Sequence, residues 1–340
     1  IRAPARATDT MILLIGAGAV GTILAAHVAA GKTQSLKLYA RDKDLRAMEA
    51  AKELRVDHVA PGAAPLIAPR PELAASLDLA GVDYLFICVK YPQLASLLDQ
   101  LPAIPSSCTL VSTLNGIGGL RLVKARFPDA RVAPMTVMFN GQLLGPLHAR
   151  ITTRAQVILG SDDPKLLGCF GASGMEVKQA AGESAAWGKI LINLANAVCA
   201  ITHTTFKDLL TDRDMRAVYV GVLDEAVGLL EAAGIHYQLP MPMPYRLYRQ
   251  VLLRGGPLPW WFAKARNGLQ EGAYPSMVAD VEAGTLTEVE QLNGEIVALG
   301  AQQKHPAPVN AKIVELVKAM LGKVPPNYLR PGDLRVRLGL

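Results

Sequence analysis

The chain has 340 residues, 51% hydrophobic and 19% charged, which excludes a disordered chain and is long enough that two domains are expected. Its 35 Lys and Arg against 29 Asp and Glu leave a dispersed +6, without the basic tract that a nucleic-acid partner requires. The four cysteines (Cys88, Cys108, Cys169, Cys199) form no C-x-x-C pair, so neither a zinc site nor a disulfide framework is expected, and a reducing cytoplasm fits.

Residues 1–10 carry two arginines and no apolar centre, so they read as a tail outside the fold rather than a secretory signal. An apolar run at 11–15 leads into Gly16-Ala17-Gly18-Ala19-Val20-Gly21, then Ala- and Leu-rich sequence to about residue 30 and a second strand at 36–40. Strand, glycine turn, helix and strand make a βαβ unit of about 30 residues. Residues 82–89 (VDYLFICV) and 109–114 read as further buried strands, and 156–159 and 175–178 as later ones in a mixed or antiparallel arrangement. From about 182 the texture turns helical, with helices expected over 183–200, 213–233, 286–299 and 313–321. The Pro- and Gly-rich segment 239–259 reads as a loop between helices. The fold class is therefore α/β: an N-terminal Rossmann-type dinucleotide-binding domain over 11–180, followed by an all-helical domain over 181–325 and a tail at 326–340. No stretch approaches the roughly 18 unbroken apolar residues of a membrane span, and no membrane partner is expected.

The G-x-G-x-x-G sits after a strand and at the mouth of a helix, where its parts have separate work. Gly16 permits the tight turn, Gly18 lets the backbone approach a pyrophosphate, and Gly21 lets the helix pack on the strand. A structural turn in a non-binding domain is the bland alternative. Which nucleotide binds is decided after the second strand, where an acid holds the ribose hydroxyl of NAD and an arginine accommodates the 2′-phosphate of NADP. Arg41 follows that strand and favours NADPH/NADP+, although Asp42 is adjacent and Arg41 could be a solvated loop charge.

Polar residues then appear where apolar burial alone would not put them. Lys90 follows the strand VDYLFICV and Asn115-Gly116 follows the next strand, both at the carboxyl edge where open α/β sheets bind ligands. In the helix WGKILINLAN, Asn193 and Asn196 lie four and seven residues after Lys189, within about 40° of it around the axis. Each has a plain alternative: Lys90 as a surface lysine, Asn115 as an Asn-Gly turn, Lys189 as a snorkelling lysine, Asn193 as a structural hydrogen-bonder.

Taken in order, GAGAVG at 16–21, Arg41, CVKYPQ around Lys90, LNGIG around Asn115, WGKILIN around Lys189 and SMVADVEAGTLTEVEQLNG at 276–294 resemble the ketopantoate reductase (2-dehydropantoate 2-reductase) family. The resemblance runs from Met11 to about Leu321 and implies a Rossmann domain, a helical domain and an active site in the cleft between them. It implies that Lys189 donates the proton to a keto oxygen and that Glu288 orients substrate. Asn115, Asn193 and Ser276 would bind the substrate's polar groups, with Lys90 near nicotinamide and substrate. The chemistry agrees, because hydride transfer to a ketone builds negative charge on oxygen, and burial can lower a lysine toward the working range. Glu288 taken alone is weak, since Glu282, Glu290 and Glu295 could all belong to one charged helix face.

Two features depart from the family. A second asparagine is expected eight residues after the lysine, where Ala197 stands; Asn196 is one residue early, about 100° away around the helix. Trp260-Trp261-Phe262 could line an apolar pocket or pack in the helical domain. The leading reading is NADPH-dependent reduction of 2-dehydropantoate to (R)-pantoate, on the pathway to pantothenate and coenzyme A. The alternatives are a reductase of another branched or aromatic 2-keto acid, and an NADP sensor without catalysis. A small-molecule substrate is the expected partner, with a homodimer left open. A histidine-based dehydrogenase is set aside because neither His203 nor His305 has a nearby carboxylate of the kind an acid/base pair needs, although Asp208 is five residues from His203.

Overall fold

In the computed structural model, which describes residues 10–31, 34–59, 63–171, 173–241, 243–267 and 270–340, strand β1 (Thr10–Ile15) feeds two cores at once. Ile12 and Leu14 enter one and Leu13 and Ile15 the other, the period-two alternation of a strand buried on both faces. Two compact units divide the chain. The first comprises the residues up to Leu114 together with Gly119–Gly182; the second comprises Asn115–Gly118 and Glu183–Leu340.

In the first unit, β1 is followed by α1 (Ala19–Ala30), β2 (Gln34–Tyr39), α2 (Asp42–Glu49), β3 (Glu53–His58), β4 (Leu66–Pro69) and β5 (Glu72–Ala74). Then come β6 (Tyr84–Ile87), α3 (Tyr91–Gln100), β7 (Thr109–Ser112), α4 (Gly118–Arg126), β8 (Arg131–Val137), β9 (Gly141–Gly145), β10 (His148–Ile151), β11 (Gln156–Leu159), α5 (Pro164–Gly168) and β12 (Glu176–Gln179). The main sheet has the order β12-β11-β8-β7-β6-β1-β2-β5, parallel from β5 to β8; β11 then pairs antiparallel with β8 and parallel with β12. Strand β1 lies between β2 and β6, so the chain order reverses beside it, and the ends of β1, β2 and β6 converge at one carboxyl edge.

A second sheet, β4-β3-β10-β9, was not expected. Leu54 and Val56 of β3 and Ala149 and Ile151 of β10 turn inward and share a core with Ile23 and Leu24 of α1. Arg55, Asp57, His148 and Arg150 take the alternate positions along the same two strands, and each is only half-buried. The strands are short and half charged, so no apolar run betrays them.

The second unit is helical: α6 (Ser184–Thr202), α7 (Phe206–Thr211), α8 (Arg213–Ala232), α9 (Tyr245–Arg254), α10 (Leu258–Asn267), α11 (Ser276–Glu282), α12 (Asn293–Gln303), α13 (Pro308–Lys318) and α14 (Pro331–Arg337). The α/β unit followed by a helical one is the expected architecture. Helix α6 is long and apolar enough to cross a bilayer by length and composition, but 78% of that window is buried in the helical core. Three expectations are corrected. Segment 239–259 is not a loop: Pro244 is the N-cap of α9 and Pro259 stands in the first turn of α10, places where helices accept proline. The helix expected from 286 begins at Asn293; 286–288 are irregular with Leu286 exposed, and 289–292 form turns. Residues 326–340 are no tail, because Leu334 of α14 is fully buried and Arg335 pairs with Asp214 of α8 at 2.8 Å. Of the expected N-terminal tail, Thr10 belongs to β1 and 1–9 lie outside the described residues.

Candidate functional site

In the first unit the glycine turn is built from backbone. Gly16 has φ +101°, and a Cβ there would stand 2.8 Å from the carbonyl oxygen of Cys88; its N–H donates to Tyr39 O at 2.9 Å, tying the turn to the end of β2. A Cβ on Gly21 would fall 1.8 Å from Gly16 O, so only glycine lets α1 start this close to the turn. Gly18 differs: among the described residues no atom lies within 4 Å of its Cβ position, and it is exposed at the N-cap of α1. Among the described residues no side chain caps that helix, and no acid stands in its first turn, which leaves free N–H groups and the positive end of the helix dipole. Ala17 and Val20 pack against the core, and Ala19 opens the helix. The open space at Gly18 with unclaimed donors fits the phosphates of a dinucleotide.

Arg41 follows β2 as the N-cap of α2, exposed, its Nε donating to Asp44 Oδ2 at 2.9 Å. Such a solvent-exposed pair is weak and uses one of five donors, so the guanidinium keeps capacity for a phosphate. Lys90 is exposed at the N-cap of α3 and has no ion-pair partner among the described residues.

In the second unit the side chains carry the chemistry. Lys189 is half-buried on α6, and burial lowers its amine to about 8 while the Glu288 carboxylate pulls the other way. Asn193 is half-buried and Asn196 is buried, and neither side chain hydrogen-bonds among the described residues. Gly188, beside Lys189, has no room for a methyl group because Gln238 O would lie 1.8 Å from it. Glu288 stands in the turns between α11 and α12 and accepts a hydrogen bond from Asn115 Nδ2 at 3.1 Å. The Asn-Gly pair is therefore more than a turn in the strand connection. Gly116 has φ +81° and a Cβ position 2.5 Å from Gln291 O, and Ile117 is fully buried in the helical core, so 115–118 are clamped to the loop that bears Glu288. Ser276 is exposed at the start of α11, whose Met277, Val278 and Val281 face that core.

Residues 12–164 match the family described as "Ketopantoate reductase PanE/ApbA", and 183–321 match "Ketopantoate reductase PanE/ApbA C terminal". The chain belongs to the ketopantoate reductase family. It is thus an oxidoreductase of that family. Curated 2-dehydropantoate 2-reductases resemble it at low identity: that of Halobacterium salinarum at 23% over 318 residues (90% of this chain, 97% of the relative), and that of Aquifex aeolicus at 25% over 252 residues (70% and 76%). The fold recurs in the PanE/ApbA family ketopantoate reductase of Ralstonia eutropha JMP134 (TM-score 0.73, 24% identity, 92% of this chain, 98% of that one). It recurs also in a D-mandelate dehydrogenase bound to NADH and anilino(oxo)acetate (TM-score 0.72, 17%, 97% and 100%).

Within this member of the family, neighbouring acids separate by partner. Glu282 accepts from His203 at 2.5 Å, Glu290 pairs with Lys318, and Glu288 takes the Asn115 amide. His203 does have a carboxylate partner, contrary to the sequence expectation, because Glu282 is 79 residues away and no local spacing marks it. Trp260-Trp261-Phe262 is not one cluster: Trp260 is buried, Trp261 and Phe262 are exposed. Sequence reasoning also missed Glu225, which accepts from the backbone N–H groups of Val309 and Asn310 and so caps α13. Burial raises all four thiols, Cys108 to about 11 and Cys88, Cys169 and Cys199 to about 12, so none is poised as a thiolate.

Proposed function

We propose that the chain reduces 2-dehydropantoate to (R)-pantoate with NADPH, on the route to pantothenate and coenzyme A. A nicotinamide nucleotide, when bound, supplies the hydride. The turn at Gly16, Gly18 and Gly21 would hold its pyrophosphate on the free N–H groups of α1, and Arg41 would face the 2′-phosphate. Lys90 would add positive charge near the reacting end, with Asn115 reaching nucleotide or substrate from its loop.

Lys189 is the proton donor. An amine near 8 is about nine-tenths protonated at pH 7, yet a better acid than an ordinary lysine, so it can stabilise charge building on the keto oxygen and give that oxygen its proton. The proton leaves Nζ for the alkoxide oxygen and is recovered from water. Glu288, fixed by Asn115, opposes the burial of the amine and orients a substrate hydroxyl; Asn193, Asn196 and Ser276 offer neutral donors to the carboxylate and hydroxyl groups. The observation that carries this reading is a half-buried lysine on the apolar helix α6, within electrostatic reach of a Glu288 carboxylate that Asn115 orients. The unpaired, buried cysteines suit a reducing cytoplasm, and a homodimer is compatible with it.

One observation favours a second reading. Ala197 is fully buried and supplies no polar atom where an asparagine is expected, which suits a less hydroxylated branched or aromatic 2-keto acid. Oxidation of NADPH and NADH measured against a panel of 2-keto acids decides. The first reading expects the highest kcat/KM for 2-dehydropantoate with NADPH. A tenfold preference for another acid overturns it in favour of the second, and no turnover with any acid leaves a nucleotide sensor.

A further inference from the structure

Helix α10 turns its apolar stripe to solvent. Leu258 (61% exposed), Trp261 (60%), Phe262 (40%) and Ala265 recur at i, i+3, i+4 and i+7, the spacing by which a surface helix ordinarily faces its core. Helix α9 exposes Leu247 and Leu253, and on the same face Arg246 and Arg254, neither of which has a partner among the described residues. From residue 232 to 270 the sequence contains no Asp or Glu, but it holds Arg246, Arg249, Arg254, Lys264 and Arg266.

The outward stripe is not a sign of a loosely held segment. Leu252 and Trp260 are buried in the helical core, Tyr245 and Arg249 both donate to Asp224 of α8, and Arg216 of α8 donates to the carbonyl of Gly256 between the two helices. The platform is anchored from beneath, and the apolar side chains above it stay exposed among the described residues, with Lys264 lying over the Trp261 ring at 5.6 Å from its centroid.

We propose that this face docks the protein on an anionic lipid bilayer surface, with the α10 stripe in the interfacial layer and Arg246 and Arg254 at the headgroup phosphates. Exposed Trp, Phe and Leu on one helix face with unpaired arginines beside them are what an interfacial segment requires. A second copy of the chain fits less well. A two-fold contact would set one acid-free, cationic segment against another. The sequence expectation of no membrane partner rested on the lack of a spanning segment, and lying on a bilayer does not need one.

The test is flotation of the full chain with vesicles of phosphatidylcholine alone, or with roughly a third phosphatidylglycerol. At least tenfold more protein is expected to float with the anionic vesicles, falling at high salt. Trp187 and Trp260 are each only 3% exposed, so a blue shift of emission on vesicle addition reports Trp261. The double variant Trp261→Ser/Phe262→Ser should lose flotation at least tenfold and keep its turnover in solution; Trp261→Phe should keep flotation and lose the shift. Equal flotation of the unmodified chain with both vesicle types overturns the proposal, as does a double variant that floats like the unmodified chain. A double variant that instead turns a dimer into a monomer in sedimentation, without any vesicle binding, assigns the face to a second copy.

Discussion

The glycine turn of the first unit and the Lys189–Glu288 pair of the second both handle charge, but with opposite materials. The turn uses backbone: three glycines within six residues, one strained, one crowded and one facing open space. The pair uses side chains whose supports come from far along the chain, with Asn115 reaching Glu288 across 173 residues. A backbone site tolerates no added atom at its crowded glycines, Gly16 and Gly21, but needs few partners. A side-chain site can be weakened by degrees, through burial, through the opposing charge and through the clamp at Gly116.

The largest expected effect separates the two directly. Lys189→Ala should lower turnover by about 10²–10⁴-fold, the usual worth of a positioned general acid, and leave the nucleotide dissociation constant nearly unchanged. Turnover that stays within a few-fold removes Lys189 as the donor. Next comes the division of labour among the glycines. Gly21→Ala places a methyl group on a backbone oxygen and should destabilise the first unit by about 3 kcal/mol in chemical denaturation. Gly18→Ala has room in the fold, so it should leave that stability unchanged and weaken nucleotide binding in titration calorimetry. Equal destabilisation by both would erase the distinction between structural and phosphate-facing glycines.

A smaller effect belongs to the first unit alone. His27 of α1 is buried, its Nδ1 3.0 Å from the carbonyl oxygen of Ser173, and is lowered from 6.5 to about 4, mainly by burial. Its folded form resists protonation, so its contribution is complete above pH 6.5 and is lost as pH falls from there toward 4. About 2 kcal/mol should be gone at pH 5 relative to pH 7.5, and His27→Leu should flatten that slope in urea unfolding. The smallest effect is at the nucleotide's edge: Arg41→Ala should raise the KM for NADPH by about tenfold and spare NADH, a change near 1.4 kcal/mol. Equal changes for both nucleotides would leave Arg41 as a surface charge paired with Asp44.

Legibility in the sequence followed the range of the physics. The β1–turn–α1 unit could be read because glycine geometry and strand burial are local, and α6 and α8 because their apolar spacing runs for about five turns. The prolines of 239–259 misled because proline both ends and begins helices, and only the fold shows that Pro244 and Pro259 stand at beginnings. The small sheet escaped because β9 is exposed along all but its last residue and β3 and β10 spend alternate residues on charge. At the candidate site, Lys189 and Asn193 were legible through helical spacing. That Glu288, and not Glu282 or Glu290, receives Asn115 depends on a contact between residues that no sequence spacing links.

The most direct measurement is the pH dependence of single-turnover 2-keto acid reduction by the unmodified chain at saturating nucleotide and substrate. If the half-buried amine of Lys189 delivers the proton, the rate is level below neutrality and falls as pH rises through about 8, and Glu288→Gln moves that fall to lower pH because it removes the charge that favours the protonated amine. A rate that stays flat to pH 10, with or without Glu288, would contradict it.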